Sequence, residues 1–317
     1  MQVFESINRG YNRVFQPQRL SLGLIIPIES YPAGTVPSLA DHLQRARYAE
    51  QLGFSALWVR DVPLHVPAFG DAGQTYDPFT YLGYLAGQTQ KIALCTGSIA
   101  LPLHHPLQVA KAAATIDQLS GGRLILGVAS GDRPSEYPAM GISFERRGEL
   151  FREAFEYIRS TQGSFPVHQS SDYGYLNGQA DVLPKANGTK IPLLVTGNSR
   201  QSLSWISEQA DGWMYYPRNL AMQGSNLAQW QALNRQQEFA KPFMQPFYLD
   251  LHANDDFQPQ PIHLGLRMGI KPLLEYLHQL QQLGVNHLAF NLRFSSRKVE
   301  TVMDELAEKV LPHFHIS

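Results

Sequence analysis

The chain has 317 residues, 44% of them apolar and 17% charged, with Lys+Arg 26 against Asp+Glu 27 and a formal net charge of -1. That balance supplies neither a basic field for nucleic acid nor a polybasic patch for a membrane, so neither partner is expected. A single cysteine, Cys95, excludes an internal disulfide framework and a multi-cysteine zinc site.

The apolar run LSLGLIIPI (20–28) has strand length and is closed by Pro27. Residues 38–52 then space Leu39, Leu43, Ala46, Ala49 and Leu52 along one helical face, and Gly53 stops it. The pairing repeats as strand 55–59 with helix 79–88, strand 91–99 with helix 106–119, and strand 123–129 with helix 144–160. Pro106 suits a first helical turn, and Gly121-Gly122 suits the end of the same helix. Asn177-Gly178 and Asn187-Gly188 interrupt the rhythm and read as tight turns of a β-hairpin inserted at 163–190, outside the barrel. Beyond it lie strand 191–196 with helix 200–209, strand 211–216 with helix 220–239, and strand 243–251. A polar, Pro-rich excursion (252–262), helix 271–283, strand 286–292 and a closing helix 296–312 complete the series. Strands apolar on both faces imply a buried parallel sheet. Eight strand–helix units predict one α/β domain over 1–317, a (β/α)8 TIM barrel, with an open doubly wound sheet as the competing arrangement. No signal-like leader and no apolar span of ~20 residues is present, which gives a cytoplasmic, soluble protein as the expectation.

In such a barrel the reactive groups gather where strands end. Gly127-x-x-Ser130-Gly131 is one residue out of step with a nucleophile elbow, and neither G-x-G-x-x-G nor a Walker loop occurs. The Ser130 hydroxyl, the permissive Gly131 backbone and Asp132 suit an anion instead. A second loop, Thr196-Gly197-Asn198-Ser199-Arg200-Gln201-Ser202, opens a helix whose N-terminal N–H groups favour phosphate. Ser199 reads equally as a plain N-cap. Two such loops from adjacent strands suggest one shared phosphate site. Asp61 and His65, after the second strand, form a candidate acid/base pair, with a solvated or capping pair as the alternative reading. His104-His105 lack a third ligand at metal spacing, and no H-E-x-x-H occurs, so no metal is expected.

Four segments in order resemble the luciferase-like monooxygenase superfamily. They are LGFSALWVRD (52–61), KIALCTGSIALPLHHPLQVAKAAATIDQLSGGRLILGVASGD (91–132), ERRGELFREAFEYIR (145–159) and IPLLVTGNSRQSLSWISEQADGW (191–213). The resemblance implies a barrel, commonly a homodimer, that holds FMN or the deazaflavin F420 at its C-terminal mouth. It also implies a bulged third strand with a non-proline cis peptide behind the ring, which would fall at Ser98–Ile99 beside Gly97. Ser130, Gly131, Gly197, Asn198, Ser199 and Ser202 would then surround the phosphate. Pro27, Ser98 and Ile99 would face the ring, and Asp61, His65 and Asp132 the substrate. The sequence departs from the family where Val62-Pro63-Leu64 separates Asp61 from His65. It departs again where Ser130 replaces an arginine, leaving the phosphate to backbone dipoles or Arg200. The implied activity is a monooxygenase that takes reduced FMN from a separate flavin reductase and O2 to a small organic substrate. An F420-dependent oxidoreductase and a non-catalytic FMN-binding relative are the alternatives, and FMN is preferred because no cationic cluster awaits a polyglutamate tail.

Overall fold

The structure is a computed structural model and describes residues 3–34 and 36–314. Among these, eight parallel strands close a barrel: β1 (Ser21–Ile25), β2 (Ala56–Val59), β3 (Ala93–Thr96), β4 (Leu124–Ala129), β5 (Leu193–Thr196), β6 (Gly212–Met214), β7 (Phe243–Leu251) and β8 (His287–Asn291). The β8–β1 and β6–β7 pairings complete the ring, which rules out the open sheet. The strands are followed in turn by α1 (His42–Leu52), α2 (Pro78–Ala86), α3 (Pro106–Ser120), α4 (Arg147–Ser160), α5 (Leu203–Gln209), α6 (Leu220–Asn234), α7 (Ile270–Leu283) and α8 (Val299–Lys309). No helix among the described residues is long and apolar enough to cross a membrane.

Strand residues alternate between the two faces of the wall. Ala56, Trp58, Ala93, Cys95, Ile125, Leu194, Met214 and Ala289 fill the interior, while Leu57, Val59, Leu94, Leu126, Val195 and Leu288 meet the helices outside. Both layers are buried, which is why the strands read as continuous apolar runs. Gly127 is required where the wall is tightest, since a Cβ there would fall 2.1 Å from the Thr96 carbonyl oxygen.

The leader forms a helix, Arg9–Val14, that plugs the barrel floor with Tyr11, Val14 and Phe15. Above the plug, His287 bonds Ser21 at 2.7 Å and accepts from the Trp58 indole at 2.9 Å. Burial pushes its imidazole down to about 3, so the ring is neutral at physiological pH.

Several boundaries differ from the sequence reading. Helix α1 starts at His42 because Leu39 (φ 56) and Asp41 (φ 53) are left-handed. Two short strands appear after β7, Gln260–Ile262 at the end of the excursion and Gly265–Met268 just beyond it, the second pairing with Tyr248–Leu251. The inserted hairpin pairs Val167–Ser170 with Gly174–Asn177, so its turn lies at 171–173 rather than at either Asn-Gly. The cause is Glu153 on α4, which binds Ser170, Ser171 and the Asp172 N–H and folds the turn onto that helix. Asn187-Gly188 instead packs at the floor, where Asn187 N donates to Asp117 at 2.8 Å.

Candidate active site at the barrel mouth

The strand ends and the loops after them gather polar and charged residues at one face in two groups. The first sits on β3, β4 and β5. The cis bond there is Gly97–Ser98, one bond earlier than expected. Ile99 is committed to a parallel bridge with Val128, and its fully buried side chain lies in the layer beneath the helices. It therefore does not face the mouth. A Cβ at Gly97 would meet Met214 Cε and Trp58 Cε3 in ordinary contact at 3.5 Å. The Ser98 hydroxyl bonds the Thr196 hydroxyl, linking β3 to β5. Pro27, buried at the end of β1, follows another cis bond, Ile26–Pro27.

The loops after β4 and β5 are joined directly. Ser130 N donates to Ser199 Oγ at 3.2 Å, and Ser199 Oγ donates to the Thr196 carbonyl at 2.8 Å. Ser199 is not the helix cap. With Ser199 (φ 45) and Arg200 (φ 62) left-handed, the helix begins later, and Ser202 caps it by accepting from Trp205 N at 3.2 Å. Gly131 (φ 73) lies so close to Tyr137 that a Cβ would stand 2.7 Å from the phenol oxygen, which donates to the Ser130 carbonyl. Over Gly197 (φ 58) the space is open, with nothing within 4 Å of where a Cβ would be. Asn198 and Arg200, in the same loop, are exposed, and Arg200 Cβ lies against Gly148 on α4. Asp132 is open to solvent, yet the surrounding protein pushes its carboxyl above the ordinary range against the opposing charge of Arg133.

Asp61 is buried beneath the mouth and does not pair with His65. Its Oδ2 accepts from Ala100 N at 3.0 Å and from His104 Nε2 at 2.7 Å. Burial pushes the His104 imidazole down, but the hydrogen bond and charge of Asp61, with the charge of Asp77, outweigh it and hold the ring above its usual value. His65 is exposed on the loop after β2, against Gly73. Glu29, another strand-end carboxylate, is taken up by Ser38 N at 2.8 Å and Leu39 N at 3.0 Å.

The second group comes from the loops after β2, β4, β6 and β8, and sequence reasoning missed most of it. Asp71 bridges Arg60 and Arg133, with its Oδ2 2.8 Å from Arg133 Nη2. Burial raises that carboxyl, but the two guanidiniums and the Ala72 N–H hold it below the usual range. Arg293 binds the Gly70 carbonyl at 2.8 Å and the Gly34 carbonyl at 2.6 Å. Three arginines thus fasten loop 62–76 over the mouth. Although Tyr216 is 41% exposed, the surrounding protein, with the nearby charges of Asp132 and Asp71, pushes its phenol up to about 12. The available signal was position: Arg60 and Arg133 adjoin Asp61 and Asp132, and Arg293 stands two residues past β8. No group of three or more His, Cys, Asp or Glu among the described residues could hold a metal ion.

Residues 20–242 match the family described as luciferase-like monooxygenase. The chain belongs to the luciferase-like monooxygenase family. It is 31% identical over 183 residues to 4-hydroxyprotoasukamycin monooxygenase of Streptomyces nodosus subsp. asukaensis, a match covering 56% of this chain and 47% of that protein. Its fold superposes on monooxygenase RslO1 from Streptomyces bottropensis with TM-score 0.78 and 18% identity, covering 93% of this chain and 100% of that one. An F420-dependent secondary alcohol dehydrogenase in complex with an F420-acetone adduct gives 0.75 and 17%, covering 94% and 100%. At such identities the structural likeness is one of fold alone. The family match spans β1 to β6 and includes both joined loops, whereas Tyr248 and Arg293 lie outside it.

Proposed function

We propose that the protein is an FMN-dependent monooxygenase that receives reduced FMN from a separate reductase and oxidises a small organic substrate with O2. The observation that carries this reading is the joined pair of loops after β4 and β5, with open space over Gly197 and an exposed Arg200 in the same loop. A backbone bare of Cβ atoms lets a phosphate approach the chain closely, and one adjacent guanidinium suits one phosphate group. Ser130, Gly131, Gly197, Asn198 and Arg200 would hold that phosphate, while Pro27, Gly97 and Ser98 would border the ring. Bound FMN supplies the redox chemistry. The chain's own residues supply the surroundings. Loop 62–76, tied by Asp71 to Arg60 and Arg133, limits water at the mouth. Asp61 holds the His104 imidazole above its usual range, and Asp132, whose carboxyl the surrounding protein pushes above the ordinary range, would face the substrate.

Equilibrium titration with FMN and with F420 tests the assignment. FMN binding at least about tenfold tighter, a margin of 1.4 kcal/mol, is the expected result. Tighter binding of F420 would replace this reading with a deazaflavin-dependent oxidoreductase, as is the F420-dependent secondary alcohol dehydrogenase that shares the fold.

A further inference from the structure

Across the mouth from the joined loops, Arg293 stands with Arg60 around the Tyr31 ring, and the proposed chemistry leaves the Arg293 guanidinium unexplained. Arg293 is only 7% exposed. Both of its Nη atoms bond neutral carbonyls, Gly34 and Gly70, and its Nε is buried with no partner. No carboxylate among the described residues forms an ion pair with it. The Nε of Arg60 is likewise buried and unpartnered. Arg60 reaches Tyr31 Oη at 3.4 Å through Nη2, and Arg293 lies 5.0 Å over the same Tyr31 ring and 5.2 Å over Phe294. Tyr248 extends this aromatic wall, its ring 5.2 Å from that of Phe294. Asp71, on the exposed loop, is the one carboxylate among the described residues that forms an ion pair with either arginine.

A buried cation without an anion is costly, and a nearby anionic ligand relieves that cost. A carboxylate matches the guanidinium fork in geometry and supplies the opposite charge that the neutral carbonyls lack. We infer that this corner is the anion subsite for the substrate: Arg293, with Arg60 beside it, takes the carboxylate of an organic substrate whose body packs on Tyr31, Tyr248 and Phe294. The carboxylate displaces the Gly34 and Gly70 carbonyls, so the loops bearing them shift as the substrate binds. Naming the ligand a substrate rests on the monooxygenase reading; the anion preference does not. Because Arg293 and Tyr248 lie outside the segment matched to the family, the subsite distinguishes this chain's pocket from the cofactor machinery.

Calorimetric titration of the purified protein, with and without FMN, tests the subsite. The probes are benzoate, decanoate and glutarate, each against its neutral amide, with inorganic phosphate alongside. At least one carboxylate is expected to bind about tenfold tighter than its amide, with that preference abolished in Arg293→Gln and reduced in Arg293→Lys. FMN affinity should be unchanged in both. Equal binding of acids and amides, a preference that survives in both variants, or Arg293-dependent binding of phosphate tighter than any carboxylate would overturn the proposal. Arg293→Lys keeps the charge and decides the matter if the glutamine variant does not melt cooperatively. Loss of FMN binding with the acid preference intact would strike the monooxygenase reading and spare the subsite.

Discussion

Arg123 at the barrel floor and Arg293 at its mouth are buried to almost the same degree, 2% and 7% exposed, yet their surroundings differ. Arg123 donates five hydrogen bonds, to Ser120 O, Thr89 Oγ1, Ile92 O, Ala86 O and Thr89 O, all between 2.7 and 3.0 Å. Those acceptors belong to the chain around the ends of α2 and α3, so one side chain ties two helix ends to β4. Burial pushes its guanidinium down to about 10, but every donor is satisfied. Arg293 has two neutral acceptors, both on exposed loops, and one buried donor without any. Burial alone therefore does not separate structural from functional cations. The separation lies in how completely the fold answers their hydrogen-bonding capacity.

The largest effect that would break this contrast is in stability. Arg123→Met should lose about 3–5 kcal/mol in urea unfolding, because several buried carbonyls are left without their donor. Arg293→Met should lose only about 1 kcal/mol, since it removes two loop contacts together with an uncompensated buried charge. Equal losses would erase the distinction between the two ends. A smaller effect is expected at Gly131, where the left-handed φ of 73 and the nearby Tyr137 phenol both oppose a Cβ. Gly131→Ala should cost about 1–2 kcal/mol and, on the proposed reading, weaken FMN binding while the barrel remains folded. Unchanged FMN affinity in that variant would remove the loop after β4 from the cofactor site.

Much of the fold was legible because both faces of each strand are buried, and continuous apolar runs are the direct result of that burial. The hairpin turn was misplaced because Glu153, on a different element, decides it. Local turn propensity at Asn-Gly could not register that contact. At the mouth the same limit recurs. Ser199 and Arg200 adopt left-handed backbone although neither residue type favours it, which moved the cap to Ser202. Asp61 was paired with His65 by nearness in sequence, but β2 lies beside β3, and that register presents Ala100 N and His104 to the carboxylate. Strand adjacency places partners about forty residues apart in hydrogen-bond contact, and no local pattern reports it.

The Asp61–His104 contact gives the smallest effect and the finest test of that register. Its folded imidazole is held above the ordinary value near 6.5, so the bond contributes stability fully below that pH and loses it as pH rises through the raised value. The ring is partly exposed at 26%, which limits the contribution to under about 1 kcal/mol. Urea unfolding at about pH 6 and about pH 8.5 should show wild type losing more stability than His104→Asn across that interval. The variant keeps a donor toward Asp61 but cannot titrate, so it isolates the proton from the hydrogen bond. His65→Asn should leave the wild-type slope intact, because His65 is exposed and makes no bond to Asp61. Should the slope follow His65 instead, the pairing assigned to β2 and β3 would be wrong, and with it the cause assigned to the raised His104 imidazole.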